Sequence, residues 1–171
     1  MTGMWSYPHK EPFPFGDTIT YPKGMEFLSG IGCVEDWGCG TAWASRYLKK
    51  GRYAGVDGSP SKFTTKVADL RKYTSSPDGI FMRHVLEHNV GWADILGNAV
   101  ASFRKRMALV MFIPFTHETR IMNPGAEIPE IQFRKDDITK FFKDLKWTEE
   151  TFSTSTQFSW EHIFYIEKKH S

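Results

Sequence analysis

The sequence predicts an α/β domain: a doubly wound, mostly parallel sheet of seven strands whose last strand is antiparallel. Strand and helix signals alternate from residue 31 onward. The segment 108–113 is continuously apolar, which is typical of a strand that helices cover on both faces. Two strand-like segments near the end of the chain, 148–154 and 162–168, are joined only by a loop, and this favours an antiparallel pair.

Glycines and apolar spacing locate the individual elements. A short helix over 23–29 is expected to stop at Gly30, and a helix over 42–50 is closed by Gly51. In 92–107 apolar residues recur every three or four positions, which predicts an amphipathic helix. The predicted strands are 33–37, 53–57, 66–70, 79–84, 108–113, 148–154 and 162–168, and the predicted helices are 23–29, 42–50, 92–107 and 136–145.

Length and composition indicate one domain in a reducing compartment. With 171 residues, 40% of them hydrophobic, the chain can bury a core without disulfide bonds. Its two cysteines fit neither a disulfide framework nor a paired metal site. No apolar stretch is long enough for membrane insertion, so a cytoplasmic location is expected. The net charge of +2 neither favours nor excludes nucleic acid as a partner.

A glycine-rich turn lies between the first predicted strand and the helix after it. Gly38 and Gly40 let the backbone approach a ligand closely, and the helix start offers unpaired amide groups. Asp57 ends the next strand, 21 residues after Asp36, where a carboxylate can accept hydrogen bonds from both ribose hydroxyls. A dinucleotide-binding turn has its third small residue three positions after the second glycine, whereas Ala42 follows by two. The acidic pair before the turn would repel a pyrophosphate but suits the amino and sulfonium groups of S-adenosylmethionine.

Four motifs carry a resemblance to the class I, Rossmann-like S-adenosylmethionine-dependent methyltransferases, and among them to the small type-11-like members with a Val-Leu-Glu-His motif. They are in the family's order and spacing within residues 31–115. The motifs are VEDWGCGTA at 34–42, GVDGS at 55–59, ADL at 68–70 and HVLEH at 84–88. The resemblance implies a methyltransferase that uses S-adenosyl-L-methionine.

The same resemblance implies which residues hold the cofactor. The glycine turn would face the methionine moiety, and the carboxylate that ends the second strand would face the ribose hydroxyls. The two residues after that carboxylate would flank the adenosine, and the Asp-Leu pair near the third strand would contact the adenine. Ala42 departs from the glycine of many members and is expected to tighten the turn without abolishing binding. The predicted cofactor-binding residues are Asp36, Gly38, Cys39, Gly40, Asp57, Gly58, Ser59, Asp69, Leu70 and Arg83.

The HVLEH motif predicts either a metal site or a general base. If the chain turns helical there, His84, Glu87 and His88 share one face, and His117 after the fifth strand is a reasonable fourth ligand. The segment is similar to the Glu-x-x-Glu-His of small-RNA 2′-O-methyltransferases and ubiquinone-pathway O-methyltransferases, where a divalent metal draws in vicinal hydroxyls. Because His84 replaces the first Glu, Mn, Fe or Zn suits the site better than Mg.

Other interpretations of this motif stay open. The Val-Leu-Glu-His string also occurs in metal-free relatives, where its residues pack or pair. A zinc-peptidase signature has the same spacing but needs a longer helix than a segment directly after a buried strand would provide. Without a metal, His84, His88 or His117 is the candidate catalytic base, because an imidazole titrates near neutrality.

Two segments are expected to close the site. Within a single domain the regions are an aromatic arm with a short helix (1–30), the cofactor-binding core (31–115), an acceptor-side loop (116–135) and a C-terminal helix with a strand pair (136–171). The two segments are the aromatic arm and the acceptor-side loop. Alternatively, the arm only packs against the core, and the loop is only a solvated connection. The nearly minimal domain leaves room for a second subunit, as in a homodimer, or for a partner that presents the acceptor.

The sequence therefore predicts an S-adenosylmethionine-dependent methyltransferase that O-methylates a small-molecule or glycan hydroxyl, with or without a divalent metal. A non-catalytic cofactor-binding accessory module and a nucleic-acid or protein methyltransferase are the alternatives.

Overall fold

The computed structural model describes residues 6–169 and contains nine strands and three α-helices within that range. The strands are β1 (Cys33–Trp37), β2 (Arg52–Asp57), β3 (Lys66–Val67), β4 (Gly79–Arg83), β5 (Arg106–Met111), β6 (Arg120–Ile121), β7 (Ile131–Gln132), β8 (Lys146–Ser153) and β9 (Trp160–Glu167). The helices are α1 (Thr20–Leu28), α2 (Trp92–Ser102) and α3 (Lys135–Thr139).

Seven of these strands form one sheet in the order β3-β2-β1-β4-β5-β9-β8. Strands β1 to β5 pair in parallel, and β9 pairs antiparallel with both β5 and β8. The predicted fold class is confirmed, including the antiparallel last strand. The chain winds from β1 outward to β2 and β3 and then returns to β4, so the order reverses between β1 and β4. In open sheets of this kind a ligand crevice lies at that reversal.

Side chains of the central strands alternate between two apolar layers, one on each face of the sheet. In β4, Ile80 and Met82 pack into the layer that contains α2, and Phe81 packs into the layer that contains α1. In β5, Leu109 joins the first layer and Val110 the second. This alternation with period two explains why both strands are continuously apolar in sequence.

The helix predicted over 42–50 is the largest departure from expectation. Only a 3₁₀ turn, Trp43–Tyr47, forms there, and Leu48 is already extended. Ala42 has a left-handed backbone (φ 57°), and so does Gly40 (φ 53°). A left-handed residue cannot start a right-handed helix smoothly, so the turn after β1 is longer and the helix shorter than their composition indicates.

The other observed elements differ from the predicted ones mainly in the residues at which they begin and end. Helix α2 stops at Ser102 rather than 107, because Phe103 is extended and β5 begins at Arg106. The predicted helix 136–145 is α3 followed by turns, and the predicted strand 66–70 is reduced to two residues. The predicted loop 116–135 contains the antiparallel β6–β7 hairpin. No helix within residues 6–169 is long and apolar enough to span a bilayer.

Candidate active site

A cavity of about 990 Å³ lies at the carboxyl ends of β1, β2 and β4. This is the upper end of the size range of small-molecule sites. Segments that follow these strands form its base, residues 121–129 of the β6–β7 hairpin form one wall, and the arm before α1 covers it. All ten residues predicted to bind the cofactor line this cavity: Asp36, Gly38, Cys39, Gly40, Asp57, Gly58, Ser59, Asp69, Leu70 and Arg83.

The turn after β1 requires its glycines. Gly38 has φ 76°, and a Cβ atom there would lie 2.3 Å from Cγ2 of Val85. Gly40 has φ 53°, and a Cβ there would lie 3.1 Å from Cε2 of Phe15. The amide of Gly38 donates to the carbonyl of Val56 at 2.7 Å, which ties the turn to β2. Left-handed backbone and close packing together therefore exclude larger residues.

Asp57 is the polar centre of the cavity. It is buried at the end of β2. Its Oδ2 accepts hydrogen bonds from the amide of Gly40 at 3.0 Å and the hydroxyl of Tyr7 at 3.2 Å, and its Oδ1 accepts from the amide of Ser59 at 2.9 Å. The carboxylate thereby joins the turn after β1 to the turn after β2 and holds both at the cavity.

Asp36 is a second buried carboxyl group in the lining. The hydroxyl of Tyr53 donates to its Oδ2. Burial raises the pKa of Asp36 to about 7; the Tyr53 hydrogen bond opposes this rise and the charge of Asp57 adds to it. A cationic group beside Asp36 would stabilise its ionised form, because opposite charges favour each other's charged states.

Asp69 and Arg71 form an ion pair at the edge of the cavity. Nε and Nη2 of Arg71 donate to Asp69 at 2.9 and 2.8 Å, in a bidentate arrangement. This pairing lowers the pKa of Asp69. The side chain of Leu70 beside them is buried and belongs to the core that supports β2.

Arg83 lines the cavity, but its guanidinium group is used by the protein itself. Nε donates to the hydroxyl of Thr20, Nη1 to the carbonyl of Phe15, and Nη2 to the carbonyl of Asp17 and to Oε1 of Glu161. The Arg83 and Glu161 side chains are 3% and 0% exposed. Arg83 therefore fastens the arm and α1 to β4 and β9. Its guanidinium is thus engaged within the protein, and Arg83 stays a predicted cofactor-binding residue by its place in the cavity lining.

The aromatic arm packs over the glycine turn. The amide and carbonyl of Phe13 both hydrogen-bond to the hydroxyl of Thr41, two residues beyond Cys39. The rings of Tyr7 and Phe15 meet edge to face with centroids 6.5 Å apart, and both line the cavity together with Tyr21. The expected closure of the cavity by the arm is therefore seen from Tyr7 onward; Trp5, which also belongs to the predicted arm, lies outside the described residues.

Two of the three candidate bases line the cavity. His84 follows β4 with a left-handed backbone (φ 57°), and its Nε2 lies 2.8 Å from Oε1 of Glu161, away from the direction of a ring N–H hydrogen bond. Burial, and next the charge of Arg83, lower the pKa of His84 to about 4. His88 Nδ1 lies 3.1 Å from the carbonyl of Pro129, and burial lowers the pKa of His88 as well.

The four predicted metal ligands do not converge. His84 is not helical, so the expected common face does not form. Glu87 is fully buried; its Oε1 accepts from the amide of Phe112 at 2.7 Å, and its Oε2 has no hydrogen-bond partner in the described chain. His117 lies outside the cavity with its side chain 83% exposed. Within residues 6–169 no three His, Cys, Asp or Glu side chains form a metal-binding group. The four predicted ligands therefore lie apart in this structure, and His117 lies away from the cavity that the other two candidate bases line.

Sequence reasoning missed residues from distant parts of the chain that line the cavity or contact its lining. Tyr7 contacts Asp57 across 50 positions, and Glu161 contacts Arg83 across 78. Pro129 fixes the ring of His88 across 41 positions. Only Tyr7 carries a local signal, as one of several aromatic residues in a proline-rich arm. The segments around Glu161 and Pro129 carry no motif that predicts a role at the cavity.

Comparison with solved structures agrees with this architecture. No protein-family model and no curated protein matches the chain in sequence. The 1,6-didemethyltoxoflavin-N1-methyltransferase of Burkholderia thailandensis, solved with S-adenosylhomocysteine, superposes with a TM-score of 0.68 at 13% identity, over 89% of this chain and 78% of that one. The chain has the Rossmann-like methyltransferase fold.

Two further structures share the fold at similarly low identity. The N-methyltransferase NodS of Bradyrhizobium japonicum, also with S-adenosylhomocysteine, gives a TM-score of 0.66 at 8% identity and covers 96% of this chain and 95% of that one. Magnesium protoporphyrin IX methyltransferase of Synechocystis, also solved with S-adenosylhomocysteine, gives a TM-score of 0.60 at 19% identity and covers 82% of this chain and 76% of that one. At such identities the likeness is one of fold, and the site must carry any argument about chemistry.

Proposed function

We propose that the protein binds S-adenosylmethionine in this cavity and transfers its methyl group to a hydroxyl of a small molecule or sugar. One observation carries the proposal. The residues predicted from four separate motifs meet in one cavity, around the buried carboxylate of Asp57, at the reversal point of the sheet. If the glycines of these turns served packing alone, there would be no need for a buried carboxylate between them.

The cavity offers a suitable group for each part of the cofactor. Asp57 would accept hydrogen bonds from the ribose, and Asp36 would face the cationic methionine end. Gly58 and Ser59 would lie along the adenosine, with Leu70 against the adenine. S-adenosylmethionine supplies an activated methyl group on a sulfonium. The protein's contribution is then to align the acceptor oxygen and to exclude water.

The charge of the lining favours an uncharged acceptor. Both guanidinium groups in the described lining are already paired, Arg71 with Asp69 and Arg83 with Glu161. Carboxyl groups of Asp36, Asp57 and Glu127 also line the cavity. A phosphate or carboxylate acceptor would find no unpaired guanidinium or ammonium group in the described lining, whereas a neutral hydroxyl needs none. This supports a small-molecule or sugar hydroxyl over a nucleic acid backbone.

His88 is our candidate for the base that takes the hydroxyl proton. The Pro129 carbonyl can only accept a hydrogen bond, so Nδ1 of His88 carries the hydrogen and the ring's lone pair lies on Nε2. Its lowered pKa keeps the ring neutral near pH 7, as a base requires. His84 also lines the cavity, but its pKa of about 4 makes it a much weaker base.

Calorimetry with S-adenosylhomocysteine and S-adenosylmethionine tests the cofactor site. Wild type should bind one molecule per chain. Asp57→Asn should weaken binding at least about tenfold, because it removes a charged acceptor. Asp136→Asn is the control, because Asp136 is a surface aspartate whose side chain is 72% exposed. Absence of binding by wild type at millimolar ligand would overturn the proposal.

Transfer is tested with S-adenosylmethionine labelled in its methyl group. The acceptor panel should contain neutral sugars and small alcohols beside phosphorylated counterparts of the same molecules. We expect label in the neutral hydroxyl compounds. Cofactor binding without transfer to any acceptor would instead identify a binding module, and preferential labelling of the phosphorylated compounds would contradict the charge argument.

A further inference from the structure

The carboxylate of Asp57 has too few open positions for a ribose while Tyr7 is in place. A carboxylate offers about four lone-pair positions. Donors within residues 6–169 occupy three of them: the Gly40 amide and the Tyr7 hydroxyl donate to Oδ2, and the Ser59 amide donates to Oδ1. A ribose presents two neighbouring hydroxyls, so only one of them could find an acceptor on Asp57.

Of the three donors, Tyr7 is the one that can leave. The two amides belong to the turns that form the cavity, whereas the Tyr7 hydroxyl is on a side chain of the arm. Its bond to Oδ2, at 3.2 Å, is long for a hydroxyl donor. Burial and the charge of Asp57 raise the pKa of Tyr7, so the hydroxyl keeps its proton and acts only as a donor to this carboxylate.

The arm is built so that Tyr7 can move while the rest stays. Residues 8–11 are exposed, and the chain beyond them is held by the contacts of Phe13 with Thr41 and of Phe15 with Arg83. Rotation within 8–11 would withdraw Tyr7 and leave these hydrogen bonds in place, at the cost of at most the stacking of the His9 ring on that of Phe13, whose centroids are 4.5 Å apart. The ring of Tyr7 also lies over the glycine turn, 3.5 Å from the position of a Cβ on Gly40.

We propose that the Tyr7 hydroxyl is a built-in competitor of the cofactor, taking on Asp57 the position that a ribose hydroxyl occupies when the cofactor binds. This inference rests on the proposed cofactor site. Binding then requires Tyr7 to withdraw from Asp57. When the spent cofactor leaves, the return of Tyr7 satisfies the carboxylate and favours release.

Tyr7→Phe tests the competition because it keeps the ring and removes only the hydroxyl. Calorimetry should show that the variant binds S-adenosylhomocysteine about fivefold more tightly than wild type, the equivalent of one modest hydrogen bond no longer broken on binding. Stopped-flow measurement should show slower release. Tyr165→Phe is the matched control: its hydroxyl also donates to a carboxylate, Glu150, but on the exposed β8–β9 surface.

The 2′-deoxy and 3′-deoxy analogues of S-adenosylhomocysteine separate competition from a general effect on the arm. One analogue lacks the hydroxyl that would displace Tyr7, and for it the gain from Tyr7→Phe should vanish. An equal gain for all three ligands would overturn the proposal, since it would reflect arm packing.

Equal or weaker binding of S-adenosylhomocysteine by Tyr7→Phe would also overturn the competition while leaving the cofactor site intact. If neither wild type nor the variant binds this ligand, the proposed function itself has failed. Urea unfolding of each variant confirms that it is folded.

Discussion

Replacing Arg83 with methionine should remove a large share of the protein's stability. The substitution keeps a long side chain but deletes a guanidinium that contacts Glu161, the hydroxyl of Thr20 and two carbonyls of the arm. Glu161 is 0% exposed, so its charge would remain buried, and among the described residues the Thr20 hydroxyl and the nearby His84 ring would be its remaining polar neighbours. Removing one partner of a buried ion pair typically costs about 3–5 kcal/mol.

That cost is at least about a fifth of the free energy of unfolding of a typical domain, about 5–15 kcal/mol. Urea unfolding monitored by tryptophan fluorescence measures it directly. Adding Glu161→Gln to Arg83→Met should recover more than half of the loss, because the double variant leaves no unpaired charge. Arg120→Met is the surface control: Arg120 pairs with Glu118, and both side chains are 55% exposed. Its effect should stay below about 1 kcal/mol.

The pKa of His84 provides a second measurement of the loss of the Arg83 charge. The charge of Arg83 is, after burial, the main cause that lowers the pKa of His84 to about 4, while Glu161 raises it. Arg83→Met removes that charge and leaves Glu161 in place, so proton NMR should show the His84 pKa moving upward. A stability within about 1 kcal/mol of wild type, or a double variant no more stable than the single one, would refute the reasoning.

Three further predictions concern the turn, the buried acid and the base. Gly38→Ala should destabilise the protein more than Gly30→Ala: both glycines have positive φ, but a Cβ at Gly38 clashes at 2.3 Å, whereas the space around Gly30 is open. In urea unfolding we expect about 1 kcal/mol for Gly30→Ala and about 2–4 kcal/mol for Gly38→Ala, and equal losses would contradict the packing argument. Burial raises the pKa of the Glu87 carboxyl from 4.5 to about 7. Protonation of Glu87 therefore stabilises the folded state, fully below about pH 4.5, and this stabilisation is lost as the pH rises through 7. The free energy of unfolding of wild type should therefore fall by about 3 kcal/mol between about pH 5 and 8, and that of Glu87→Gln should not. Parallel pH profiles of the two unfolding free energies would contradict this prediction. His88→Asn should slow methyl transfer about 10²–10⁴-fold without weakening cofactor binding, whereas the exposed His117→Asn should resemble wild type. Similar rates for both histidine variants would remove His88 as the base.

Local chemistry made much of the site predictable from sequence. Glycines that need left-handed backbone, and a carboxylate that ends a strand, are specified by residues within a few positions of each other. The sheet order follows from alternating strands and helices, because parallel strands need crossover connections. Once that order is known, the carboxyl ends of β1 to β4 must lie at one edge of the sheet, and the ten predicted residues lie at or near these ends.

Predictions that depended on an assumed local conformation were less secure. The metal quartet required residues 84–88 to be helical, but His84 takes a left-handed backbone and Glu87 turns inward to the amide of Phe112. The helix after the glycine turn failed for a related reason, because Ala42 is also left-handed. Composition reflects the average preference of a residue type and does not specify the backbone angles of single residues such as these.

The sequence by itself determined the fold class and the place of the glycine turn, because both depend on periodicity and on short-range backbone requirements. Only the tertiary structure decided that Arg83 holds the arm, that His88 rather than His117 faces the cavity, and that Tyr7 sits on Asp57. Each of these contacts joins residues more than 40 positions apart or depends on where a loop folds back. Such distances carry no pattern along the chain, since their geometry exists only after the sheet has assembled.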